Sequence, residues 1–134
     1  MSVSLYYGAR RATPVTEAEA ASVERIVAAH LASFPYDDQE SLYLYPPADR
    51  EPDEILDGST KLPLAPDQLL TVMTHVLDSV TALRRALPGA EWHVHMDDLD
   101  IPWDAAEGYA LPGMRDPALI AELSGGWDGA GTDV

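Results

Sequence analysis

Cysteine and asparagine are absent from this chain, lysine and phenylalanine occur once each, and the cations are outnumbered by acids, 8 Lys and Arg against 23 Asp and Glu. Without cysteine there is no disulfide framework, no thiolate nucleophile and no zinc site built on sulfur. The fold must therefore rest on an apolar core, and 134 residues of which 46% are hydrophobic are enough for one. The formal net charge of −15 is spread along the whole chain. Such a field repels nucleic acid and anionic lipid and speeds encounter with a basic partner, although acidity also serves solubility and tolerance of salt. Lacking asparagine and preferring arginine to lysine is the bias of GC-rich codons, a property of the genome and not of the function. No run approaches the roughly 20 apolar residues of a membrane span. The opening residues Met-Ser-Val-Ser-Leu-Tyr-Tyr also lack a basic stretch before a long apolar one. A cytoplasmic location without a membrane partner is the expectation.

What the chain does have is clear periodicity. Val3, Leu5 and Tyr7 alternate with Ser4 and Tyr6 as in a half-buried strand. Thr16 followed by Glu19 is a capping box, and Ala20, Val23, Ile26, Val27, Leu31 and Phe34 trace one helical stripe that Pro35 ends. Residues 40–45 alternate again, with Leu42 and Leu44 against Tyr43 and Tyr45, and read as a second strand stopped by Pro46 and Pro47. Residues 54–64 read as a third strand, weakened by Gly58 and Pro63, with Asp57-Gly58 in a hairpin turn. Pro66 opens a long helix whose buried face runs from Leu69 to Leu87 and which Pro88-Gly89 stops. A fourth strand follows around Trp92, and Asp97-Asp98 turns the chain back into a short terminal hairpin through Leu99, Ile101 and Trp103. The order predicts an α+β fold of ferredoxin-like βαββαβ type, an antiparallel sheet with both helices on one face. One domain over 1–108 and a C-terminal extension over 109–134 are expected. The last ten residues, rich in glycine, are expected to be mobile with Trp127 as their one anchor.

The densest functional signal is Glu91 to Asp104, fourteen residues that hold two histidines, four aspartates and two tryptophans. If the strand leucines and valines face the helices, Tyr6, Tyr43, Tyr45, His93 and His95 all fall on the opposite, uncovered face. Aromatic and polar side chains on such a face suit a protein interface or a second copy. Single-strand nucleic-acid platforms interleave their aromatics with Lys and Arg, whereas these neighbours are acidic. His93, His95 and Asp97 form a permissive metal-ligand set for zinc, manganese or iron. The run resembles the His-x-His-x-Asp-His motif of metallo-β-lactamase-like hydrolases, but Asp98 stands where that motif ends in histidine, and that family's chemistry is not carried over. His30 and His75 read as edges of buried helical stripes. Gly58-Ser59-Thr60-Lys61 matches neither a nucleophile elbow nor a phosphate loop.

These features favour a non-enzymatic, cofactor-free acidic protein that recognises a basic protein, in the manner of an immunity-type inhibitor of a toxin. The residues expected at that contact are Tyr43, Tyr45, His93, His95, Asp97, Asp98, Asp100 and Trp103. The alternative is a metal-dependent or cofactor-free small-molecule enzyme or binder that uses the open sheet face of a homodimer.

Overall fold

The computed structural model describes residues 3–46 and 51–111. Strand β1 (Val3–Arg10) lies between β2 (Glu54–Leu62) and β3 (Glu91–Met96), antiparallel to both, and β4 (Leu99–Asp100) completes the sheet in the order β2-β1-β3-β4. Helix α1 (Glu17–Ser33) follows β1, and α2 (Pro66–Ala86) follows β2. A separate two-stranded piece pairs β5 (Trp103–Asp104) with β6 (Gly108–Tyr109). The α+β class and the antiparallel sheet with two helices are therefore present. No described helix is long and apolar enough to cross a membrane.

The alternation in β1 decides the two faces of the sheet. Leu5, Tyr7 and Ala9 are buried, and their register partners Thr60, Gly58, Leu56, Val94 and Trp92 share that face. It packs into one core with Leu70, Met73, Val76, Leu77, Val80 and Leu83 of α2. Helix α1 opens with the expected box: Glu19 N–H donates to Thr16 Oγ1 at 3.1 Å and Thr16 N–H to Glu19 Oε1 at 3.0 Å. Arg11, at the end of β1, clamps that start. Its guanidinium uses all five N–H donors, on both Glu19 oxygens and on the carbonyls of Thr13, Pro14 and Pro88. One side chain thus ties the strand end, the helix start and the turn after α2.

Three expectations need correction. Asp57 and Gly58 do not turn the chain but sit in the middle of β2, opposite Gly8 and Tyr7. The strand expected over 40–45 is reduced to a single bridge, Leu44 to Gly58. It runs along β2 and exchanges two bonds with it, Tyr45 N–H to the Asp57 carbonyl at 2.8 Å and Ser59 N–H to the Tyr43 carbonyl at 3.2 Å. Three more of its backbone groups are met by side chains: Leu42 N–H by His30 Nε2, Tyr43 N–H by the Tyr7 hydroxyl, and the Ser41 carbonyl by Thr60 Oγ1. Alternation fixed which side chains point inward, but side-chain acceptors at Leu42 and Tyr43 and a side-chain donor at Ser41 stand in for the ladder there. The terminal hairpin is also shorter than expected, for Asp97-Asp98 turns the chain only into two paired residues, and Trp103 leaves for the β5–β6 piece. Tyr109, just past the expected domain end, is 2% exposed and belongs to the core. The expected extension from 112 onward, with Trp127 and the glycine-rich last ten residues, lies outside the described residues.

Candidate functional site on the open sheet face

Among the described residues, no helix lies on the second face of the sheet. Register places Ser4, Tyr6, Gly8 and Arg10 of β1 beside Lys61, Ser59 and Asp57 of β2 and beside His95, His93 and Glu91 of β3. Asp100 of β4 follows next to His95. Tyr6 is 39% exposed and stacks on His95 with ring centroids 5.1 Å apart. Tyr45 joins the face from beyond β2 through its hydroxyl, 2.6 Å from Ser59 Oγ, and the Tyr43 ring, 54% exposed, meets Tyr45 edge-on at 5.7 Å. From Tyr45 to Asp100 the face spans four strand spacings, about 19 Å.

Its centre is hollow because Gly8 has no side chain. A shallow depression of about 290 Å³ opens there, bordered by Tyr6, Arg10, Asp57, His93 and His95. A β-carbon at Gly8 would come to 3.3 Å from Asp57 Oδ1, so the carboxylate leans over the glycine. The cation of the rim is not free, since Arg10 pairs with Asp53 and Glu54.

The proton positions on the histidines follow from their partners. His95 Nδ1 lies 2.7 Å from the Asp97 carbonyl, which only accepts, so Nδ1 carries the proton and Nε2 is the lone-pair nitrogen. Asp97 is held in the left-handed region at φ 49°, where aspartate is tolerated, and its Oδ1 accepts Ser4 N–H at 3.3 Å. His93 reaches Glu91 at 3.7 Å. His93, His95 and Asp97 therefore do not converge, and the described residues hold no group of three His, Asp or Glu arranged to ligate a metal. Alternation on a strand brings the two imidazoles to one face, but the turn spends Asp97 on the chain itself.

The structure thus gathers Tyr43, Tyr45, His93, His95 and Asp100 on one face, with Asp97 and Asp98 at the turn on its rim. It separates Trp103, which packs instead against Tyr109 and Arg84 at the helix side. Tyr6, which the sequence places on this face, borders its hollow centre and stacks on His95.

A second cluster escaped the sequence reading. His30 of α1, 2% exposed, and His75 of α2 meet with their Nδ1 atoms 3.1 Å apart, and Phe34 stacks on His30 and meets His75 edge-on. Leu42 N–H donates to His30 Nε2 at 3.0 Å, so neutral His30 carries its proton on Nδ1, facing Ser79 Oγ at 2.8 Å and His75 Nδ1. His75 then accepts at Nδ1 and donates from Nε2 to Ser33 Oγ at 3.0 Å, and Ser33 donates onward to the Ala29 carbonyl at 2.8 Å. Ser33 thus sends its proton to a backbone carbonyl and accepts from His75 rather than giving a proton to it. The arrangement is a structural relay and not a serine–histidine nucleophile. Burial, with His75 as a secondary cause, pushes the His30 pKa down to about 4. Only a helical period combined with knowledge of which helix faces touch would have paired these two residues. No family model matches this chain, and no curated protein or solved structure matches it.

Proposed function

We propose that the protein is a non-enzymatic binding module that receives a basic protein on its open sheet face. The observation that carries this reading is the uncovered face itself: exposed Tyr6, Tyr43 and His93, stacked or edge-paired rings, and a surround of carboxylates in a chain of net charge −15. Tyrosines held by neighbours lose little freedom on docking, and the acidic rim from Asp97 to Asp100 steers a cationic partner into register. An immunity-type inhibitor that neutralises a basic toxin is the kind of protein such a surface serves. The topology we propose is ferredoxin-like with its second strand worn down to a bridge. Supporting this are the position of residues 41–45 on the outer edge of β2 and the two helices that follow β1 and β2.

The test is a native pull-down from source lysate at low and high salt, comparing the wild-type chain with Tyr6→Ala/His95→Ala. A basic protein held by the wild type at low salt, released at high salt and lost from the double variant supports the reading. Equal capture by the double variant, or recovery of the chain only as its own dimer, refutes it.

A further inference from the structure

We propose that the hollow over Gly8 receives a guanidinium, the head of an arginine side chain on the basic partner. The inference rests on the reading of the open face as a docking surface and names the group which that surface takes.

The glycine is the first sign. Gly8 lies within β1 and is flanked by β2 and β3, a position where glycine weakens a strand. The fold does not demand it. Its φ is not positive, and a β-carbon there would meet Asp57 Oδ1 at 3.3 Å and the Leu56 carbonyl at 3.4 Å, contacts that a shift of a few tenths of an ångström relieves. Gly58 is the contrast, since a β-carbon at that position would collide with the Tyr43 carbonyl. The side chain missing at Gly8 leaves about 290 Å³ open, and a strand glycine often marks the close approach of another molecule.

The chemistry of the rim is the second sign. Asp57 Oδ1 stands at the floor, beside the place a side chain would occupy. A carboxylate accepts at about four lone-pair positions, so Asp57 serves its neighbours and an incoming donor together. His95, across the hollow, spends its Nδ1 proton on the Asp97 carbonyl and keeps Nε2 as an acceptor. Arg10 is the one cation of the lining, and Asp53 and Glu54 already match its charge. Carboxylates therefore outnumber cations around the hollow, which favours a group that brings donors and positive charge. Of the two cationic side chains, arginine suits it better. Its flat fork offers five donors, enough for acceptors on both sides, and it lies readily against an aromatic ring such as Tyr6. An ammonium is more strongly hydrated and loses more water on entering.

The experiment is titration of the full chain with Nα-acetyl-arginine amide, followed by backbone amide NMR. The lysine analogue and the uncharged citrulline analogue serve as comparisons. Saturating shifts at Gly8, Asp57 and His93 are expected, with a dissociation constant of about 1–10 mM. The lysine analogue should bind about threefold or more weaker, and the citrulline analogue about tenfold or more weaker. Gly8→Ala fills the hollow at unchanged net charge, and it should abolish saturation below about 50 mM. Asp57→Asn should weaken arginine about tenfold. Absence of saturation in the wild type up to about 50 mM, binding of either analogue as tight as that of arginine, or wild-type binding by Gly8→Ala overturns the proposal. If Gly8→Ala does not fold, Asp57→Asn and the citrulline comparison decide. The partner reading is tested apart from this one. A basic protein captured equally by the wild type and Gly8→Ala upholds that reading and overturns the guanidinium site, whereas arginine amide seated at Gly8 with no protein captured does the reverse.

Discussion

Tyr7 has one hydroxyl proton and three polar neighbours. Thr60 Oγ1 gives its own proton to the Ser41 carbonyl, so the tyrosine proton is shared between Thr60 Oγ1 at 2.8 Å and the Tyr43 carbonyl at 3.0 Å, while the same oxygen accepts Tyr43 N–H at 2.9 Å. Burial pushes its pKa up to about 12. Removing the hydroxyl in Tyr7→Phe strands a backbone donor and a threonine acceptor, and we expect a loss of about 1–3 kcal/mol in urea unfolding. His30 makes a comparable argument through pH. Its pKa falls from the ordinary 6.5 to about 4 in the fold, so between those values the unfolded chain binds more protons. Stability is then full above pH 6.5 and declines as pH drops toward 4, by on the order of 1–3 kcal/mol. Urea midpoints for the wild type and His30→Gln at pH 7, 5.5 and 4 check this. A decline of the same size in the variant would assign the effect to other groups.

At the scale of elements, the segment from Glu40 to Tyr45 shows what pattern alone resolves. Its period of two correctly turned Leu42 inward, where it is buried, and left Tyr43 outward. The ladder was not legible, because the partners that replaced it are side chains from three distant elements, namely His30, Tyr7 and Thr60. Gly58 read as a turn residue for the same reason. Its need for glycine comes from a neighbour remote in sequence, since a β-carbon there would collide with the Tyr43 carbonyl and stand 2.7 Å from the Tyr7 ring. Gly58→Ala should therefore cost about 1–3 kcal/mol by overpacking and should speed amide exchange at Leu42 and Tyr43, measured by hydrogen-exchange NMR. Unchanged exchange would mean that the segment is not held by β2. The helix starts were legible because capping is local. Thr16→Ala should cost about 1 kcal/mol, read as a lower urea midpoint with an unchanged slope. The open-face residues were mostly readable for the same local reason, whereas Trp103 was displaced by a contact with Arg84 that no periodicity encodes.

For the whole molecule, the balance between repulsion and pairing decides how stability responds to salt. Twenty-three acids face eight Lys and Arg, and the described carboxylate pairs of arginine are confined to Arg10 with Asp53 and Glu54 and to Arg11 with Glu19. Exposed pairs of this sort contribute little each, while the uncompensated charge repels itself across the surface, and a Debye length of about 10 Å at 0.1 M falls to about 3 Å at 1 M. Salt should therefore remove more repulsion than attraction. We expect the melting temperature to rise between 50 mM and 500 mM sodium chloride by several degrees, about 4–8 °C for each kcal/mol gained in a domain of this size. The acidic limb runs the other way at the named groups. Hydrogen bonds from Arg11 hold Glu19 down to about 2, so its share of the stability, present above pH 4.5, is lost as pH falls toward 2, after the His30 decline has run its course. A melting temperature that instead falls with salt at pH 7 would mean that the arginine pairs outweigh the field. The strongest loss should then appear in Arg11→Lys, which keeps the charge but cannot reproduce the five-donor clamp.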